Sequence, residues 1–120
     1  MDKVFLDTNF VLDIAYRKKG VISMLENHLV AISPLSVHIL CYVNKIKTPD
    51  DNLLTFLDEY ELVSLNKKLI KKSIQGPTSD LEDNIQLHSA AESECDIFLT
   101  NDKKILKMRF FGKTKIVSTL

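Results

Sequence analysis

Glycine, proline and cysteine are scarce in this 120-residue chain, at three, three and two residues, and tryptophan is absent. So little Gly and Pro leaves no linker or low-complexity tract, and the reading is one domain spanning residues 1–120, near the usual domain size of about 100–150 residues. Cys41 and Cys95 form neither a CxxC pair nor a disulfide framework, which suits a reducing compartment and predicts a cytoplasmic protein. Long apolar runs are also missing. The longest, Ile39-Leu40-Cys41-Tyr42-Val43, falls far short of the ~18 residues of a membrane span. The amino-terminal stretch meets Asp7 too early for the apolar core of a signal peptide. Phosphate-loop and dinucleotide-binding glycine motifs are absent, and no serine sits in a Gly-x-Ser-x-Gly elbow.

What is present is charge, and its distribution matters more than its sum. Sixteen basic residues balance sixteen acidic ones for a formal net charge of zero. Residues 62–79 carry four Lys and no acid, residues 80–102 carry seven acids and no base, and residues 103–120 carry six bases and no acid. Such segregation fits an acidic site rimmed by basic surface, and equally fits solvated helix faces.

Apolar runs alternate with helical patterns along the whole chain. Val4-Phe5-Leu6 ends at the polar triplet Asp7-Thr8-Asn9, and Phe10, Val11 and Ile14 continue at helical spacing. Val30-Ala31-Ile32 reads as a second strand, with Ser33-Pro34 as a helix start and the helix running to about Lys47. Thr48-Pro49 repeats that start signal. Glu61 to Leu65 reads as strand three, followed by a short helix with Lys67, Lys68, Lys71 and Lys72 on one side and Leu69, Ile70 and Ile74 on the other. Ser79 and Glu82 match a capping box opening a helix to about Glu94. Asp96 to Thr100 reads as strand four, Asn101-Asp102 opens another helix, and Lys115 to Val117 forms a last short strand. This alternation predicts a three-layer α/β/α domain with a mostly parallel central sheet.

In such sheets ligands bind beyond the carboxyl ends of the strands, and that rule sorts the acids. Asp7 follows strand one, Asp102 lies just beyond strand four, and Asp80 and Asp83 share the first turn of the helix before it. Each is also a residue type that caps helices or complements their dipoles. Together, converging carboxylates repel one another, and a divalent cation relieves the repulsion. Oxygen-only ligands favour Mg²⁺ or Mn²⁺ over zinc, and phosphodiester hydrolysis is the reaction such a site suits. A phospho-receiver domain also clusters acids at strand ends, but strand three here ends in Ser64-Leu65-Asn66 with no acceptor acid.

The ordered motifs resemble those of the PIN-domain nucleases, many of whose small bacterial members are VapC-like toxins. Val4 to Asp13 resembles the family's opening strand and Asp-Thr-Asn triplet, Ile32-Ser33-Pro34-Leu35 its second strand and helix start, Asp80 to Gln86 its Asp-Phe-Glu-Asp-Ala-Leu-Gln segment, and Cys95 to Asp102 its last catalytic strand. The resemblance implies a metal-dependent ribonuclease with Asp7, Asp83 and Asp102 as catalytic, metal-binding carboxylates; by position alone, Asp80 or Glu82 could add a further metal ligand. The resemblance also implies that Thr8 and Asn9 shape the substrate site and that Thr100 positions Asp102 or the attacking water. Lys67, Lys68, Lys71 and Lys72, or Lys103, Lys104, Lys107 and Arg109, could track an RNA backbone or be solvated helix faces, and the second set, directly after Asp102, is the better candidate for RNA contact. Mg²⁺ or Mn²⁺ is the implied cofactor, and RNA, a cognate antitoxin and a second copy of the chain are the implied partners, with no membrane. One position departs. The family's usual Glu, six residues beyond the Ser matching Ser33, is Ile39, preceded by His38, and no acid occurs between Glu26 and Asp50. The alternative that follows is a catalytically weakened PIN module that binds RNA or a partner protein. His38, alone in an apolar helix, reads as a packed residue, as does His88, five residues beyond Asp83.

Overall fold

A computed structural model describes residue 2, residues 3–15 and residues 19–120, with the Lys19 side chain outside the description. The elements are β1 (Lys3–Leu6), α1 (Thr8–Ala15), α2 (Lys19–Leu25), β2 (Leu29–Ile32), α3 (Pro34–Val43), α4 (Asp51–Leu57), β3 (Glu61–Leu62), α5 (Lys67–Ile74), α6 (Leu81–Glu92), β4 (Ile97–Leu99), α7 (Lys103–Leu106), β5 (Phe110–Phe111) and β6 (Thr114–Val117). The sheet order is β3-β2-β1-β4-β6-β5. All pairings are parallel except β5 with β6.

Strand β1 is apolar without interruption because both of its faces are covered, as a central parallel strand requires. Val4 and Leu6 point to one side, where they pack with Phe10, Val11, Ile14, Ile32 and Leu99 under α1 and its neighbours. Phe5 points to the other, meeting Phe98, Leu87, Ala90 and Ile116. Phe5 and Phe98 are register partners across β1 and β4, and their rings stack with centroids 5.5 Å apart. Two apolar layers on either side of one sheet make the three-layer arrangement that the alternation predicts.

The chain winds outward from β1 to β2 and β3, then crosses back to place β4 on the other side of β1. Because parallel crossovers keep one hand, reversing the direction of winding puts the later helices on the opposite face. The β1–β4 junction is therefore the topological switch point, where a crevice opens beyond the strand ends.

Several boundaries differ from the sequence reading. The helix after Ser33 ends at Val43, not near Lys47, and α4 is capped by Asp50, whose carboxylate accepts the Leu53 N–H at 2.8 Å, so the start signal at Thr48-Pro49 lies two residues early. Strand three is two residues long. Ile74, expected on the buried side of α5, is 69% exposed because the helix ends there, leaving Leu69 and Ser73 as its buried residues. The β5 strand, absent from the sequence reading, pairs as an antiparallel edge on β6.

Candidate functional site at the switch point

Asp7 is the first residue beyond β1 and is 5% exposed. Its backbone N–H donates to the Leu99 carbonyl at 3.1 Å, so the β1–β4 pairing itself fixes where the side chain starts. Asp7 Oδ1 accepts the Phe10 N–H at 3.1 Å, and Oδ2 accepts the Thr100 hydroxyl at 2.5 Å. Burial lifts the carboxyl above its ordinary range and the nearby Asp102 adds to this, while the bonds from Thr100, Phe10 and Asn9 pull the other way. A carboxylate in this position is costly to ionise without a positive partner.

Thr100, wholly buried, joins the two strand ends. Its Oγ1 donates to Asp7 and accepts the Asp102 backbone N–H at 3.0 Å. Asp102 caps α7, with Oδ1 accepting the N–H groups of Lys104 at 2.8 Å and Ile105 at 3.1 Å. Both capping bonds end on one oxygen, so the cap leaves Oδ2 for other partners. Capping and ligation are compatible readings of this residue.

Asp83 sits in the first turn of α6, opposite α7 across a cavity of about 490 Å³ lined by Thr78, Ser79, Asp80, Asp83, Asp102, Lys103, Lys104 and Ile105. Its carboxyl is pushed up to about 6, by burial first and then by the repulsion of Asp80, Asp102, Glu82 and Asp7. The structure thus brings Asp80, Asp83 and Asp102 to one cavity, with Asp7 in electrostatic contact from its buried position. Lys103 and Lys104 stand on the rim.

The N-cap of α6 is Asp80, whose Oδ1 accepts the Asp83 N–H at 3.0 Å, and not Ser79 as the capping-box pattern suggests. The reason lies in the preceding loop. Asn84, 2% exposed, accepts from Thr78 N–H at 2.9 Å and from the Thr78 hydroxyl at 2.6 Å, and donates to the carbonyls of Ser73 and Thr78, both at 2.9 Å. The Thr78 hydroxyl in turn accepts the Asp80 N–H at 3.1 Å. His88, also on α6, holds the Gly76 carbonyl through Nε2 at 2.9 Å and lies edge-on to Phe111, so it is structural. This clamp shifts the start of the helix by one residue.

Other positions expected at the substrate have different surroundings. Thr8 is buried, with its N–H on Gln86 Oε1 at 2.8 Å and its hydroxyl 2.9 Å from that of Ser36. Thr100 therefore supports Asp7 and Asp102, Thr8 ties α1 to α3 and α6, and both are buried away from any substrate, while Asn9 is exposed. Gln86 and Ser36 are positioning residues that the sequence reading passed over, although Gln86 lies in the quoted motif. His38 is exposed, contrary to its reading as a packed residue, and Ile39 is partly buried.

Whether a hard cation suits these residues is a matter of donor chemistry. The donors are all carboxylate oxygens, the neighbouring acids help to raise the proton affinity of Asp7 and Asp83, and among the described residues none of Asp7, Asp83 and Asp102 has a salt bridge. Among the described residues no three His, Cys, Asp or Glu side chains are grouped closely enough to enclose a metal ion unaided. Mg²⁺ needs no such cage, since it binds through one or two carboxylates and completes its shell with water and substrate phosphates. In donor chemistry, though not in close grouping among the described residues, the set suits Mg²⁺ or Mn²⁺.

No family model matches the chain, and no curated protein does. Solved structures do. A toxin–antitoxin complex from Klebsiella pneumoniae contains a chain 19% identical, with 84% of this chain and 88% of that chain covered at a TM-score of 0.70. VapBC2 from Rickettsia felis, bound to a DNA fragment from their promoter, matches at 22% identity over 96% of this chain and 97% of that chain, with a TM-score of 0.68. At these identities the likeness is one of fold, and it covers nearly the whole chain in the second case. The protein has the VapC-like PIN fold that its ordered motifs predict.

Proposed function

We propose that this protein is a metal-dependent ribonuclease, the toxin of a toxin–antitoxin pair, working in the cytoplasm. The observation that carries the reading is the convergence of uncompensated carboxylates at the β1–β4 switch point. Asp7, Asp83 and Asp102 would hold Mg²⁺ or Mn²⁺, with Asp80 beside them. When bound, the cation would supply Lewis-acid polarisation of the scissile phosphate and a more acidic attacking water. The chain's own contribution is preorganisation: Thr100 locks Asp7 and Asp102 in one frame, and the Asn84 clamp fixes Asp80 and Asp83 across the cavity. Lys103 and Lys104 would hold the phosphates of RNA at the rim.

Incubation of pure protein with single-stranded RNA tests the reading. Cleavage should require Mg²⁺ or Mn²⁺ and vanish in Asp7→Asn. Undiminished cleavage in EDTA refutes it.

A second reading, a module that binds RNA or an antitoxin without turnover, is favoured by one observation: the α3 position where the resembled family has Glu is Ile39. It predicts RNA binding with no cleavage in single-turnover reactions at saturating Mn²⁺.

A further inference from the structure

Five of the six bases of residues 103–120 follow one another along α7, β5 and β6, whereas Lys113, in the β5–β6 turn, lines a cavity with Glu94 and Asp96 at the amino end of the strands. Lys103 and Lys104 begin α7 at the acidic cavity, Lys107 caps its end, and Arg109 leads into β5, the terminal strand of the sheet. Lys115 follows on β6. All six side chains belong to exposed residues, and none makes a salt bridge among the described residues, whereas Lys3 is paired with Glu61 and Lys72 with Glu92. In a chain of zero net charge, an unpaired basic edge is matched elsewhere by the acidic cavity.

This edge also carries an unexplained ring. Phe110 is 57% exposed, although its neighbour Phe111 is packed against the core. Phe110 and Lys115 are cross-strand partners, so their side chains share one face of the edge. Lys115 stands two residues before Val117, roughly 7 Å of strand from the end of the sheet that carries the site. A ring flanked by cations suits a nucleic acid whose bases are unpaired, because a duplex presents no free base face to stack on.

We infer that the β5–β6 edge is a single-stranded RNA platform continuous with the acidic cavity, on which Phe110 stacks a base while Lys107, Arg109 and Lys115 hold flanking phosphates. The inference rests on the ribonuclease reading for its ligand but not for its test. Fluorescence anisotropy of a labelled 12-nucleotide single-stranded RNA in EDTA measures binding by the intact chain without turnover. Phe110→Ala should weaken binding about 5-fold or more, with the salt dependence unchanged, and Phe110→Tyr should restore it. Lys107→Ala, Arg109→Ala and Lys115→Ala should each lower the slope of log K against log salt by about 0.7, the loss of one phosphate contact. Lys67→Ala and Lys71→Ala on α5 remove the same charge elsewhere and should leave that slope in place.

Affinities unmoved by Phe110→Ala and by the edge bases overturn the inference, as does equal competition from duplex DNA. So does a change of oligomeric state in Phe110→Ala with RNA affinity intact. The two readings fail separately: a flat binding series with intact Mg²⁺-dependent cleavage removes the platform alone, and the expected series without cleavage removes only the enzyme.

Discussion

Replacing Asn84 by Ala tests whether the acidic wall of the cavity is held from behind. All four hydrogen-bonding capacities of this side chain are in use, at distances of 2.6–2.9 Å, and the residue is 2% exposed. Truncation leaves the Thr78 N–H and the carbonyls of Ser73 and Thr78 without their partner. At about 1 kcal/mol for each neutral bond, with partial recovery by water where the loop is exposed, the loss is about 2–4 kcal/mol. With an unfolding entropy of about 2.1 cal/mol/K per residue, a chain of this length loses about 4 °C in Tm per kcal/mol, so the drop should be about 8–16 °C. A purely global effect would stop there. The clamp also predicts a local one: the Asp80 cap relies on Thr78, so the Asp83 amide should exchange hydrogen faster relative to core amides such as that of Leu87. Mn²⁺ affinity, measured by electron paramagnetic resonance at a temperature where the variant is folded, should fall about 10-fold. His88→Ala, which removes the Gly76 tether and the ring contact with Phe111 but leaves the Asn84 bonds in place, should move Asp83 exchange and Mn²⁺ affinity less. The reasoning is refuted if Asn84→Ala stays within about 0.5 kcal/mol of the wild type, or if its stability falls while Asp83 exchange and Mn²⁺ affinity do not move.

Thr100→Val preserves shape while removing the bond to Asp7 and the acceptor for the Asp102 N–H; a cost of about 2–4 kcal/mol is expected in EDTA at pH 8, with Thr100→Ser much milder, and urea denaturation measures both. Because the folded-state affinity of Asp83 for protons is raised, to about 6, its contribution favours folding at low pH and is lost as pH rises through that value. Metal-free protein should therefore melt higher at pH 5 than at pH 7.5, Asp83→Asn should flatten this difference, and an unaltered difference in that variant would discount the carboxylate cluster as its source. Adding Mg²⁺ at 100 times its dissociation constant should stabilise the wild type by about 2.7 kcal/mol at pH 7.5, read as a rise in Tm that Asp7→Asn abolishes. Ile39→Glu should tighten Mn²⁺ binding about 10-fold at some cost in Tm, and a calorimetric titration showing no gain would place residue 39 outside the reach of the site.

The residues that sequence reasoning found are those whose signal is local. Asp7 was legible because an acid ending an apolar strand has no place in a core, and Asp102 because a cap must follow a strand that feeds a helix. Thr100 was indicated by the family resemblance, but the bonds that support the site were not legible, because each joins distant segments. Thr100 reaches Asp7 across 93 positions, Gln86 reaches Thr8 across 78, and Ser36 reaches Thr8 across 28. Only the adjacency of β1 with β4, and of α1 with α3 and α6, creates these bonds. The α6 cap shows a local pattern overruled by tertiary contact: Ser79 satisfies the capping-box rule, but Asn84 pins Thr78 so that the chain enters the helix at Asp80. Strand β5 escaped notice because two residues carry no periodicity, and only its pairing with Phe110 opposite Lys115 defines it.

Neutral total charge conceals two segregated sets of charge. The acids of the site face inward to a cavity and to one another, where burial and mutual repulsion favour a cation or a proton over open solvent. The bases of the β5–β6 edge face outward and unpaired. A cation taken up by the cavity would cancel acidic charge without touching the edge, so the surface bordering the site would become more positive when the site is loaded. Metal and RNA binding should then be mutually favourable by linkage, each tightening the other by the same factor. That reciprocity depends on the two charge sets sharing one border, where Lys103 and Lys104 line the same cavity as Asp83 and Asp102.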